Sequence, residues 1–290
     1  MKQTPVILDF DQSTGVVPAS HSVDLFAWQD AIRFGCSLRT FHRLKAHLDQ
    51  VLPERYGTAL LGSGDFHHVS ALLIERLCRP AAPPMQVVVL DNHPDNMRFP
   101  FGIHCGSWVA HVARLEKVCH VHVLGIASHD VSLAHVLENR FSPLYAGKLT
   151  YWRLNGEATW ARRIGLGHAI RGFDTVDALL AAFAENQRQN TLPTYLSIDK
   201  DVLSEETVRT NWDQGHFTAP QLFEVVALLK NRLIGSDITG EISSWNYQRR
   251  WKRFLSALDG QKPIPEEKLA RYQQQQQDFN RRLLAALASA

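Results

Sequence analysis

The chain has little cysteine, no excess of one charge sign and no long apolar run, and each shortage removes a class of function. Its four cysteines, Cys36, Cys78, Cys105 and Cys119, lack C-x-x-C spacing. That argues against a disulfide frame or a zinc knuckle and for reduced thiols. Thirty-one Lys plus Arg stand against 29 Asp plus Glu, a net +2 with no basic stripe of the kind that binds nucleic acid. No stretch approaches the ~20 apolar residues of a membrane span. The start, "MKQTPVILDFDQ", reaches an aspartate after too few apolar residues for a secretory signal. The expectation is a cytoplasmic protein with no nucleic-acid and no membrane partner.

What is there is a globular composition, 45% apolar over 290 residues. Short runs rich in β-branched residues predict strands at 5–10, 57–64, 85–91, 119–126, 148–154, 194–201 and 237–243. Segments with apolar residues at three- and four-residue spacing predict helices at 69–77, 107–118, 176–186 and 220–230. This alternation predicts an α/β fold with three layers, αβα, around a mainly parallel sheet. No linker divides it, so 1–290 reads as a single domain with a helical C-terminal appendage at about 246–290. That appendage holds five consecutive glutamines at 273–277, read as a solvated helix face, and packs on the body or on a neighbouring subunit.

Three of the predicted strands end in residues that bind metals. "LLGSGDFHH" carries Asp65, His67 and His68, "VVVLDNHPDN" carries Asp91, His93 and Asp95, and "YLSIDKD" carries Asp199 and Asp201. In an open α/β sheet, ligands bind beyond the carboxyl ends of the strands. Period-two alternation puts Asp91, His93 and Asp95 on one side of an extended chain, likewise Asp199 and Asp201, and points Lys200 away to pack or pair on the opposite face. One such cluster is as readily a turn or a helix cap. Three at strand ends are different, because so many carboxylates in one cleft repel each other unless a cation compensates. Carboxylates with a few imidazoles and no placed thiolate suit two hard or borderline divalent ions, manganese rather than structural zinc. Such a pair acidifies water and polarises a substrate, the chemistry of metal-assisted hydrolysis.

With these residues assembled, the chain resembles the ureohydrolase superfamily of arginase, agmatinase and formimidoylglutamase. The family's G-G-D-H-S, D-A-H-x-D, S-x-D-x-D and D-x-x-x-E segments have counterparts in "SGDFHHVS", "DNHPD", "SIDKD" and "DITGE", in that order across residues 62 to 241. The resemblance implies an arginase/deacetylase-like fold and two Mn(2+) ions bridged by Asp91 and Asp199. His67 and Asp95 would complete one site, and His93 and Asp201 the other. An ungapped match selects His67, the expected ligand; a gapped one keeps Asp65 in a supporting role and makes His68 possible. The resemblance further implies that Glu241 holds a substrate's guanidinium group through charge-assisted hydrogen bonds. It has Asp95 pass a proton to the leaving amine and His104 relay protons, although His104 equally fits a cap on the helix starting near Ser107. It also implies a homo-oligomer.

Two departures matter. "VLSEETVRTNWDQGHF" replaces a Pro- and Gly-rich loop, so Trp212 and Asp213 are expected to overhang the cleft and touch substrate, unless Trp212 is a packed loop anchor. Met97 stands where an arginase has an asparagine for the substrate's α-carboxylate. The expected activity is therefore hydrolysis of a C–N bond in a guanidino, amidino or formimino small molecule other than arginine. A zinc deacetylase-like amidohydrolase, suggested by the pair His67 and His68, and a catalytically silent relative that keeps its metals for stability are the competing readings.

Overall fold

The computed structural model describes residues 3–132, 135–156, 158–248, 252–253 and 264–290. Its strands are β1 (Val6–Asp9), β2 (His21–Asp24), β3 (Gly35–Cys36), β4 (Ala59–Leu60), β5 (Met85–Leu90), β6 (Ile103–His104), β7 (Val118–Ile126), β8 (Leu149–Arg153), β9 (Ile170–Gly172), β10 (Thr194–Asp199) and β11 (Leu233–Thr239). Nine of them form one sheet in the order β2-β1-β4-β11-β10-β5-β7-β8-β9, every neighbouring pair parallel. β3 and β6 make a separate antiparallel ribbon.

Alternation along the strands sorts the side chains into two layers. Val87 and Val89 of β5 join one apolar cluster, while Val88 and Leu90 join the other. A sheet buried on both faces reads as continuous apolar sequence, which is why "MQVVVL" shows no polar positions beyond Gln86. The first face is covered by α1 (Leu38–Val51) and α2 (Ser70–Leu77). Phe41, Leu44 and Leu48 of α1 fall three to four residues apart and are all buried; each large side chain so buried contributes roughly 1.5–3 kcal/mol. The second face is covered by α3 (Val176–Gln187), α4 (Ala219–Leu228) and α5 (Glu266–Leu287). Local signals start these helices. Ser37 and Thr175 accept N–H bonds at the first turns of α1 and α3, and Thr218 with Gln221 closes a capping box on α4.

The three-layer αβα architecture is the expected one. The helices differ at their margins: the 107–118 segment is α-helical only at Val109–Val112, and α1 lies where no helix was anticipated. The glutamine run is not a solvated face. Gln276 is fully buried and only Gln274 of the five is exposed, because α5 lies on the body, with Phe279 stacked on Phe223 of α4. Residues 249–251 and 254–263 of the expected appendage lie outside the described residues. Among the described residues, no helix is long and apolar enough to cross a membrane.

The chain passes from β4 to β5 across the gap later filled by β11 and β10, builds outward to β9, and returns to β10. Connections therefore leave β5 and β10 on opposite sides, and a crevice opens at their carboxyl ends.

Candidate metal centre

A cleft of about 520 Å³ lies in that crevice, and His67, Asp91, His93, Asp95, Asp199 and Asp201 all line it. Asp91 follows the last residue of β5, Asp199 ends β10, Asp201 sits in the one-turn helix after it, and His67 in the turn that follows β4. Strict alternation does not deliver them. Asp91 Oδ1 accepts the His93 N–H at 2.6 Å, which turns the chain, and Asp95 has φ +46°. A left-handed aspartate costs roughly 1–3 kcal/mol and persists where surroundings over-determine it. Here Trp108 Nε1 donates to Asp95 Oδ2 at 2.6 Å and Asp95 O accepts the Val109 N–H.

Two groupings of potential ligands emerge, His67 with Asp91 and Asp95, and Asp91 with His93 and Asp201. Asp91 belongs to both. His67 Nδ1 stands 3.2 Å from Asp91 Oδ2, 3.0 Å from Asp95 Oδ2 and 3.5 Å from Asp199 Oδ2. His93 Nδ1 stands 2.9 Å from Asp201 Oδ2 and 3.5 Å from Asp91 Oδ1. Asp199 Oδ1 accepts the Asp201 N–H, so it caps its turn and still turns Oδ2 to the cluster.

The orientation of His67 is fixed from behind. Ser197 Oγ donates its single proton to Asp237 Oδ1 at 2.7 Å, so at 3.0 Å it can only accept from His67 Nε2. Asp237 is held in turn by Tyr195 Oη at 2.6 Å. In a neutral ring this leaves His67 Nδ1 without a proton, aimed at carboxylate oxygens, and both His67 Nδ1 and Asp91 Oδ2 are buried with no hydrogen-bond partner. Acceptors that face each other in a buried site call for a cation between them. Asp213 Oδ1 supports His93 in the same way, 2.8 Å from Nε2, while Asp213 Oδ2 accepts from Asn92.

The electrostatics agree. Burial and then the charge of Asp91 push Asp95 up to about 7; burial, with the Asp91 charge adding to it, pushes Asp199 up to about 6. Asp201 is raised by burial and by the charges of Asp199 and Asp91. Burial pulls His67 down, but the Asp91 and Asp95 carboxylates within 3.2 Å of its Nδ1 outweigh this and hold it well above an ordinary histidine. Without a metal ion the cluster must retain protons. Hard carboxylate oxygens and two imidazole nitrogens, with no thiolate in either grouping among the described residues, fit divalent ions.

The other expected residues divide. Trp212 and Asp213 overhang the cleft, with Trp212 6.0 Å from the His93 ring and Asp213 engaged with His93. His104 lines the cleft and also caps its turn, its Nδ1 accepting the Gly106 N–H at 2.9 Å; burial pushes it down to about 4, so it is neutral at pH 7. His68 faces away, against Phe41. Asp65 binds Arg33 at 2.6 Å on the buried side.

Glu241 is not delivered to the cleft. It is 1% exposed, takes Lys200 Nζ at 2.5 Å and Asn280 Nδ2 of α5 at 2.6 Å, and is absent from the cleft lining. The cause is Gly240, at φ +89°, whose missing Cβ lets the chain turn against Asp199 Oδ1 and the Lys200 backbone. Lys200 does pair away from the ligands, as alternation suggested. Sequence reasoning gave no role to Ser197, Asp237 or Trp108. The first two lie inside the quoted motifs, and that placement was the available signal.

No family model matches the chain. An uncharacterised protein of Thermotoga maritima is 27% identical over 215 residues, 73% of this chain and 70% of its own. Among solved structures, the proclavaminate amidino hydrolase of Streptomyces clavuligerus is similar with a TM-score of 0.58 at 14% identity, over 99% of this chain and 93% of that one. Arginase from Bacillus cereus has a TM-score of 0.56 at 12% identity, over 100% and 99%. Formimidoylglutamase from Bacillus subtilis has 0.52 at 14%, over 99% and 86%. At these identities the likeness speaks for the fold: the chain has the ureohydrolase fold, in divergent form.

Proposed function

We propose that the chain is a dinuclear manganese hydrolase that cleaves a C–N bond of a guanidino, amidino or formimino small molecule. The observation that carries this reading is the shared position of Asp91 in both ligand groupings, with its Oδ2 and His67 Nδ1 buried and unpartnered. His67, Asp91, Asp95 and Asp199 would hold one ion, and Asp91, His93, Asp199 and Asp201 the other. Two such ions acidify water and polarise a substrate carbon.

The chain's own groups do the rest. Ser197 and Asp213 orient the two imidazoles, as partners behind metal-binding histidines generally do. Asp95, anchored by Trp108, would pass a proton to the leaving nitrogen. His104, neutral and engaged with Gly106, fits the capping role better than that of a proton store. Glu241 lies outside the cleft lining, with Lys200 and Asn280 both on its Oε1, so the substrate's cation would be met by other groups in the cleft. A zinc deacetylase-like site drew on a His67–His68 pair, and those rings diverge.

The test is metal analysis of protein offered Mn(II), paired with assays of ammonia, urea and formamide release from guanidino and formimino compounds. Two ions per chain and metal-dependent release are expected. Asp91→Asn should remove both ions and lower turnover by roughly a thousandfold or more, as loss of a central catalytic group does. Less than one ion per chain, or turnover indifferent to the metal, would overturn the proposal.

A further inference from the structure

Away from the metal ligands, the wall of the cleft is aromatic. An unbroken arc of rings starts at His93 and ends at the rim. Trp212 lies 6.0 Å from the His93 ring, Phe34 6.3 Å from Trp212 and nearly parallel to it, and His104 4.3 Å from Phe34. Phe99 follows at 5.2 Å from His104, then Phe101 at 5.7 Å from Phe99. The antiparallel ribbon of β3 and β6 sets the middle of this arc, since Phe34 precedes Gly35 and His104 pairs with that glycine. Phe101 is 75% exposed at the mouth, an uncovered ring continuous with a buried aromatic surface.

The rim also carries charges, and these already have polar partners. Arg98 Nε donates to Asn139 O, Ser128 Oγ donates to Asp130 Oδ2, and Glu138 Oε1 stands 2.9 Å from His135 Nδ1. Glu241, the carboxylate expected to hold a cation, is closed off by Lys200. Beyond the metal ligands, the larger part of the cleft wall available to a substrate is ring surface.

We infer that the substrate carries a planar aromatic group next to the bond that is cut, seated along Trp212, Phe34, Phe99 and Phe101 while the C–N group reaches the metal ligands. This rests on the hydrolase reading of the same cleft and names the part of the substrate that reading leaves open. Ring faces and edges select aromatic partners over aliphatic ones of similar size. Phe101 and Phe99 are accordingly specificity-determining residues.

The experiment is calorimetric titration of the full chain, as purified and after Mn(II) loading, with benzylguanidine, butylguanidine and arginine. All three share the guanidinium group, so the comparison reads the remainder of the molecule. Benzylguanidine is expected to bind about fivefold or more tightly than butylguanidine, the factor set by one good aromatic contact. Phe101→Ala, at an exposed position, should erase most of that preference by weakening benzylguanidine several-fold more than butylguanidine, and Phe101→Leu should not restore it. Equal affinity for the benzyl and butyl compounds, tighter binding of arginine, or a Phe101→Ala loss equal for both would overturn the inference. Preferential binding of the benzyl compound without release of urea keeps the inference and counts against the proposed reaction. Equal binding with urea released from both does the reverse.

Discussion

Two buried clusters of charge sit at the same end of the sheet, and they are balanced in opposite ways. In the first, Glu241 receives Lys200 and Asn280, and Arg33 joins Asp65, Asp11 and Ser243; each acid has a cation supplied by the chain itself. In the second, Asp91, Asp95, Asp199 and Asp201 converge with two histidines, and among the described residues none of these acids is ion-paired to a Lys or Arg. Lys200, next to Asp199 in sequence, gives its ammonium to Glu241 instead. Burial of acid is common to both clusters; the missing positive charge is what distinguishes a place prepared for something from outside.

The comparison can be broken most sharply at Lys200. Lys200→Met strands the Glu241 carboxylate among buried groups and should cost roughly 3–5 kcal/mol in urea unfolding. The double change with Glu241→Leu should regain most of the loss, because it removes both charges together. A single variant as stable as the parent would mean that this cluster is not internally closed.

A smaller effect is expected behind His93. Asp213→Asn keeps the shape but weakens the hydrogen bond that orients the ring, and Mn(II) affinity should fall roughly 10- to 100-fold. Competition with a fluorescent chelator measures it. Unchanged affinity would leave Asp213 as a surface carboxylate that happens to meet His93.

The smallest effect is in pH. Asp95 at about 7 and Asp199 at about 6 lie above the ordinary 3.8, chiefly through burial, so the metal-free fold is favoured while these acids keep their protons. That contribution is lost as pH rises from about 4 through these values. The raised values of His67 and His93 act in the same direction, present below about 6.5 and lost as pH climbs through the folded value. A bound ion replaces the protons. Thermal melts should therefore show the stabilisation by Mn(II) growing by a few degrees between about pH 5 and about pH 8. A gap that is flat or narrows with pH would contradict the account of the second cluster.

The second cluster was legible in the sequence because its members are local. Asp91, His93 and Asp95 fall within one turn, Asp199 and Asp201 within another, and apolar strands announce where each turn lies. The alternation argument named residues that the structure does bring together, but through the wrong geometry, since a turn and not an extended chain gathers them. Glu241 shows the limit. Spacing within "DITGE" fixes its position along the chain, but the left-handed turn at Gly240 decides which side of the strand end it serves. The glutamine run was misjudged for a related reason. Composition describes a helix face without saying what lies against it, and here Gln275, Gln276 and Gln273 donate to the carbonyls of Thr207, Arg209, Gly240 and Ile242.

Those glutamine bonds bear on movement as well as place. They tie down both the segment that leads into Trp212 and the turn after β11, while a Cβ on Gly64 would stand a tight 3.1 Å from both Asp199 Oδ2 and Trp212 Cδ1. Any shift of the Trp212 segment would therefore have to break bonds to α5, a helix none of whose described residues lines the cleft.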